Sequence, residues 1–127
     1  MAKRVISTPK VAQSSLPLSQ ATLAGNLLFI GGAVATNERG EIVGKGDIRA
    51  QARQALENIK AIVEAAGGTL RDVTRTTVYL TDLVNYNGMN EVYRSYFPVE
   101  PPARATVRVA LANPDFLIEI EATAVLG

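Results

Sequence analysis

A chain of 127 residues with 47% hydrophobic content is sized for one domain with a real core and is too short for two. Its 13 Lys and Arg against 12 Asp and Glu are scattered, which leaves no electrostatic footprint for nucleic acid or an anionic membrane. With no Cys and no His, the sequence excludes disulfides, thiol nucleophiles, imidazole bases and the usual soft or borderline metal sites, so chemistry falls to Arg, Lys, Asp, Glu, Tyr, Ser, Thr or the backbone.

Lys3 to Ser7 is a short strand candidate, and Thr8 to Pro17 is loop-like, with two prolines and a Ser pair. The basic pair Lys3-Arg4 is followed by broken apolar pieces rather than a signal-peptide core, no window approaches a membrane span, and the chain is expected to be cytoplasmic. Ser19 to Leu23 resumes a weak alternation before the turn signal Gly25-Asn26. Leu27 to Ala35 is a near-continuous apolar run, the pattern of a strand buried on both faces. Thr36 to Gly40 is a turn, and Glu41 to Val43 is expected to return as a short strand. Gly40 to Gly46 has one residue too few between its glycines and no Ser or Thr after Lys45 to be a phosphate loop, and no Gly-x-Gly-x-x-Gly occurs. Nucleotide cofactors are therefore unsupported.

Residues 47 to 66 form the clearest helix. Asp47 is its N-cap, Ile48, Ala52, Ala55, Leu56, Ile59, Val63 and Ala66 make its apolar stripe, and Gly67-Gly68 is its left-handed stop. Val73 to Thr81 alternates as a strand. A second helix over about 85 to 97 carries Met89, Val92, Tyr93, Tyr96 and Phe97 on one face and stops before Pro98. Residues 101 to 126 hold two further strands. The first has Ala105, Val107 and Val109 on one face and Arg104, Thr106 and Arg108 on the other. The second sets Ile118, Ile120, Ala122 and Ala124 against Glu119, Glu121 and Thr123. The order β, β, β, helix, β, helix, β, β predicts an α+β fold, a mixed sheet with both helices on one face. Two helices cannot cover both faces, so the remaining face calls for a second copy of the chain.

Pro101-Pro102-Ala103-Arg104-Ala105-Thr106-Val107, followed by Ile118-Glu119-Ile120-Glu121-Ala122, resembles the C-terminal signature of the Rid (reactive intermediate deaminase, YjgF) family. Asp47 to Asn58, Ala65 to Gly68, Thr76 to Asp82 and Asn90 to Tyr93 match it too, in order and at its spacing. The resemblance covers nearly the whole of residues 1–127. It implies a single chorismate-mutase-like domain and a homotrimer with ligand pockets between subunits, and it implies that strand 73–81 neighbours both C-terminal strands. The implied activity is cofactor-independent hydrolysis of 2-imino or enamino acids to 2-keto acids and ammonia.

The same resemblance assigns roles. Arg104, otherwise a strand arginine paired with a carboxylate, would grip the substrate carboxylate as a bidentate fork. Glu119 would hold and polarise water, with Glu121 as an internal competitor of the same facing. Gly31 and Gly32, which interrupt a strand where glycine often marks a bulge, would line the pocket, and Asn90 would join them. Three positions depart from the family: Leu18 where deaminating members carry Tyr, Gly31 where many have Ser, and Thr106 where several have Cys. Lost hydroxyls and added room imply a bulkier or more apolar substrate than 2-aminoacrylate. They also suit the alternative of a non-catalytic trimer that binds a small acid or acts as an interaction or holdase module. Ribonuclease activity, proposed for relatives, is disfavoured by the near-neutral charge and the missing His.

Overall fold

The computed structural model describes residues 2–127. Its strands are β1 (Arg4–Ile6), β2 (Ala21–Ala24), β3 (Leu27–Ala33), β4 (Val73–Leu80), β5 (Ala103–Arg108) and β6 (Ile118–Val125), and its helices are α1 (Ile48–Ala65) and α2 (Tyr86–Tyr96). The sheet runs in the order β1-β2-β3-β6-β4-β5. All pairings are antiparallel except β4 with β5. Since β3 and β4 both run against β6, they run the same way as each other, and α1 and α2 are the crossovers of two split or direct βαβ units. The two C-terminal strands are therefore not a hairpin: β6 fills the gap between β3 and β4, while β5 takes the outer edge.

The pleat decides what each face carries. Thr76, Val78 and Leu80 of β4 pair with Ala122, Ile120 and Ile118 of β6, and all six are buried under the helices with Leu28 and Ile30. Helix α1 presents Ile48, Ala52, Ala55, Leu56, Ile59, Ile62 and Val63 to this layer. Asp47 accepts the amide of Ala50 at 3.1 Å, and Gly67 closes the helix at φ 93° while Gly68 N–H reaches Val63 O at 2.9 Å. Two residues outside the apolar pattern are also buried on this helix. Gln51 donates to Gly44 O and Asp115 O and accepts from Leu117 N–H at 2.8 Å. Asn58 donates to Val34 O and Thr36 O, each at 3.0 Å. Both satisfy backbone groups that lose sheet partners where strands end.

Two expectations are corrected. The apolar run from Leu27 is a strand only to Ala33 rather than to Ala35; as the count of two helices implies, one of its faces stays uncovered in a single chain, with Leu27 40% and Phe29 46% exposed. Val125 and Val107, at 39% and 40%, share that face. The alternation of apolar residues on β3 was never one-sided, and two helices reach only one side of it. The strand expected at Glu41 to Val43 reduces to one isolated bridge, Thr36 with Ile42. Gly40, Gly44 and Gly46 all take positive φ there, and a segment that turns three times in seven residues cannot extend a ladder. Among the described residues no helix is long and apolar enough to cross a membrane.

Candidate functional site

Six of the seven residues singled out from the sequence divide between two places. Leu18, Gly31, Gly32 and Glu119 line a cleft of about 350 Å³ that also takes in Leu16 and Phe116. Arg104 and Asn90 line a second cleft of about 340 Å³ with Tyr93, Arg94, Phe97 and Pro102. Thr106, two residues along β5 from Arg104, is partly buried and lines neither. The register explains the division. Arg104 pairs with Thr76 on the helix side of the sheet, whereas Glu119 pairs with Tyr79 on the open side. One chain cannot bring this guanidinium and this carboxylate together.

Glu119 is positioned by its neighbours in the chain. The Gln51 side chain holds Leu117 N–H and Thr81 N–H holds Leu117 O at 3.1 Å, which fixes the backbone two residues before the carboxylate, where β6 is about to start. Opposite it, β3 bulges between Ile30 and Ala33 and Gly31 N–H is held by Gln20 O at 3.0 Å. The Glu119 carboxyl group lies directly on Gly32. A Cβ at Gly32 would sit 2.6 Å from its carboxyl carbon and closer still to one oxygen. Close approach, rather than an unusual φ, is the reason for glycine here. Burial first, and the negative charge of Glu121 second, raise the Glu119 pKa above the ordinary carboxylate range. Among the described residues no side chain hydrogen-bonds to Glu119, while Glu121 accepts the Tyr79 hydroxyl at 2.6 Å. Of the two carboxylates, Glu119 is the uncommitted one and the one that shares a cleft with Leu18, Gly31 and Gly32, while Glu121 lines a separate, smaller depression.

Gly32→Ala is expected to displace the Glu119 carboxylate without unfolding the chain, because the clash is with a side chain that can swing away. The Glu119 pKa, followed by carboxyl carbon chemical shift, should fall back toward the ordinary range. An unchanged titration would show that the contact with Gly32 does not hold the group.

Arg104 sits on a floor of aromatic carbon. Its Cζ is 4.7 Å from the ring centroid of Tyr93, whose hydroxyl is tied to Thr76 at 2.7 Å in the core. Arg104 takes no part in the ion pairs found among the described residues, which join Arg39 to Glu41, Lys45 to Asp115 and Arg49 to Glu91. A guanidinium stacked and uncompensated beside a cleft has the donors free to receive a planar anion. The sequence pattern read Met89 and Tyr93 only as core residues, and it left out Tyr86, whose hydroxyl lies 3.4 Å from Arg104. The signal was available in the spacing 86, 90, 93, 97, which sets Tyr86, Asn90, Tyr93 and Phe97 on one side of α2. Among the described residues no three His, Asp or Glu side chains converge as a metal-holding group.

The family profile described as Endoribonuclease L-PSP matches residues 8–126. The chain belongs to the Rid (YjgF) family. A RutC family protein of Pyrococcus horikoshii is 53% identical over 123 residues, 96% of this chain and 97% of the relative. RidA of the Antarctic bacterium Psychrobacter sp. PAMC 21119 superposes with a TM-score of 0.90 at 38% identity, covering 97% and 99% of the two chains. The crystal structure of E. coli TdcF with bound serine gives a TM-score of 0.91 at 37% identity, covering 98% and 99%. Rid membership accounts for the mixed six-stranded sheet and its two helices on one face.

Proposed function

We propose that this Rid protein is a homotrimer whose composite sites hydrolyse 2-imino acids, or their enamine tautomers, to 2-keto acids and ammonia. The observation that carries the reading is the division of the site. An unpaired guanidinium lies in one cleft, on the helix side of the edge strand, and an unpaired carboxylate in another, on the open side of the sheet, where Leu27, Phe29, Val107 and Val125 stay uncovered. Packing that face against a neighbour would contribute about 1 kcal/mol for each half-exposed Leu, Phe or Val it covers, and would bring the Arg104 cleft of one subunit to the Glu119 cleft of the next.

In this arrangement Arg104 binds the substrate carboxylate through two N–H donors. Backbone groups at the Gly31–Gly32 bulge border the imine, and Glu119 holds a water molecule against the imine carbon. The imine enters protonated. As the water oxygen forms its bond to that carbon, Glu119 takes one of the water's protons and the C=N π electrons pass to nitrogen; Glu119 returns that proton to nitrogen, the C–N bond of the carbinolamine breaks as C=O forms, and Glu119 takes the hydroxyl proton and passes it to ammonia or solvent. Ammonia and the 2-keto acid leave. A carboxyl group with a raised pKa suits both halves of this exchange. The serine bound in TdcF supports a small ligand of the amino-acid type. RNA cleavage has less support, since charges are balanced along the chain and a phosphodiester would find no imidazole for general acid or base work.

The test is subunit complementation. Arg104→Ala and Glu119→Gln homotrimers should each be close to inactive when keto-acid formation from oxidase-generated imino acids is followed by semicarbazide trapping. Mixed and co-refolded in equal amounts, they should regain roughly a quarter of wild-type activity, because each mixed ring of three keeps one intact junction. No recovery on mixing would mean that the two residues do not share a site. Calorimetric binding of a 2-keto acid by wild-type protein with no turnover of any imino acid would leave a binding module in place of an enzyme.

A further inference from the structure

Tyr86 opens α2 one helical turn before Asn90 and two before Tyr93, so it lies on the side of the helix that faces Arg104. Its ring centroid is 5.9 Å from Arg104 Cζ, and its hydroxyl is 3.4 Å from one terminal nitrogen of the guanidinium. The other terminal nitrogen lies 3.8 Å from Met89 Sδ. Arg104 therefore has Tyr93 as a floor and Tyr86 as a wall. The two phenols differ in what their hydroxyls have left to give. Tyr93 is buried, with its hydroxyl engaged by Thr76. Tyr86 is 41% exposed, and among the described residues Arg104 is the only partner of its hydroxyl.

A guanidinium carries donors alone, so in this contact the Tyr86 oxygen accepts and its O–H proton is turned away from the cation and stays free. Of the five N–H donors of a guanidinium, one is directed at Tyr86 and one at Met89, and the rest are enough for a carboxylate fork. We propose that Tyr86 is a positioning and binding residue of the acid site: its ring and oxygen set the plane of the Arg104 fork, and its free O–H donates to the bound carboxylate as a third, neutral contact. The inference rests on Arg104 being the acid anchor. It adds selectivity to that anchor, since a fork held in one plane beside a hydroxyl favours a planar carboxylate over a halide or a neutral carbonyl. The 3.4 Å contact is long for an N–H···O bond and should shorten as the acid draws both groups together.

Titration calorimetry with 2-ketobutyrate on full-length wild type, Tyr86→Phe, Tyr86→Ala and Arg104→Ala tests this, with kcat and KM for imino-acid hydrolysis measured alongside. Tyr86→Phe keeps the ring and should weaken 2-ketobutyrate binding about 10- to 100-fold, the size of one hydrogen bond to a charged acceptor. It should raise KM by a similar factor and leave kcat nearly unchanged. Tyr86→Ala should lose several-fold more, because the fork is no longer held in plane. Wild-type affinity in Tyr86→Phe together with lost binding in Arg104→Ala would overturn the role of Tyr86 and spare Arg104. Wild-type affinity in Arg104→Ala, or no binding by wild type, would overturn both. A lower Tm in Tyr86→Phe at unchanged Kd would mark Tyr86 as a packing residue only.

Discussion

Arg104→Ala is expected to lower kcat/KM for imino-acid hydrolysis by about 2–4 kcal/mol of transition-state stabilisation, roughly 30- to 800-fold, while leaving the fold intact. The side chain stands on the edge strand β5 and engages no carboxylate, so its removal strands no buried charge. What disappears is a charge-assisted fork in a cleft lined by Tyr93, Phe97 and Pro102, where low polarity strengthens it. Arg104→Lys separates geometry from charge. A lysine restores one positive charge but neither the plane nor the second parallel donor, and its ammonium cannot stack flat on Tyr93 as the guanidinium does. It should recover only a small part of the loss. Full activity in Arg104→Lys would reduce the site to a point charge, and full activity in Arg104→Ala, with circular dichroism unchanged, would remove Arg104 from the reaction altogether.

How much of this was legible in the sequence depends on whether a feature is local. The α1 cap at Asp47, its apolar stripe and its glycine stop follow from spacing alone, and the order of all eight elements follows from their periods. Burial on two faces was harder to place. Leu27 and Phe29 are as apolar as Leu28 and Ile30, yet only the latter pair meets a helix, because a strand's composition reports that both faces are covered eventually and not by what. The facing of Arg104 was undecidable for the same reason. Its strand is apolar on the side that turns out to be open, with Val107 40% exposed, and charged on the helix side, the reverse of the usual arrangement in a lone antiparallel sheet. Gln51 and Asn58 escaped the pattern because their partners are backbone atoms far along the chain, and no hydropathy period encodes a carbonyl that has run out of sheet. The bulge at Gly31–Gly32 was readable as a bulge. That it makes room for Glu119 needed the β3–β6 register.

Glu119→Gln is expected to lower turnover at least as much and, unlike Arg104→Ala, to raise stability. Loss of a general acid and base that touches the attacking water typically costs about 10²–10⁴-fold, and glutamine, although nearly isosteric, can neither take nor return the proton. The wild-type rate should fall as pH drops through the Glu119 pKa, and burial sets that acid limb above the ordinary carboxylate range. Glu121→Gln removes the second cause of the raised pKa while its amide oxygen can still accept the Tyr79 hydroxyl. It should keep most of the activity and move the acid limb to lower pH. The linkage to folding has a definite sign. A carboxyl group whose pKa is higher folded than unfolded binds more protons in the native state between the two values, so its contribution to stability is complete below the unfolded pKa and is lost as pH rises through the folded one. At neutral pH the wild-type chain therefore holds an ionised Glu119 against its surroundings, and Glu119→Gln should melt at a higher temperature than wild type while the difference shrinks toward acid. Scanning calorimetry of both proteins across the acid range reads this directly. A glutamine variant that melts lower at neutral pH would mean that Glu119 is held by a favourable partner, and a carboxylate already satisfied in that way would be a poor base for water.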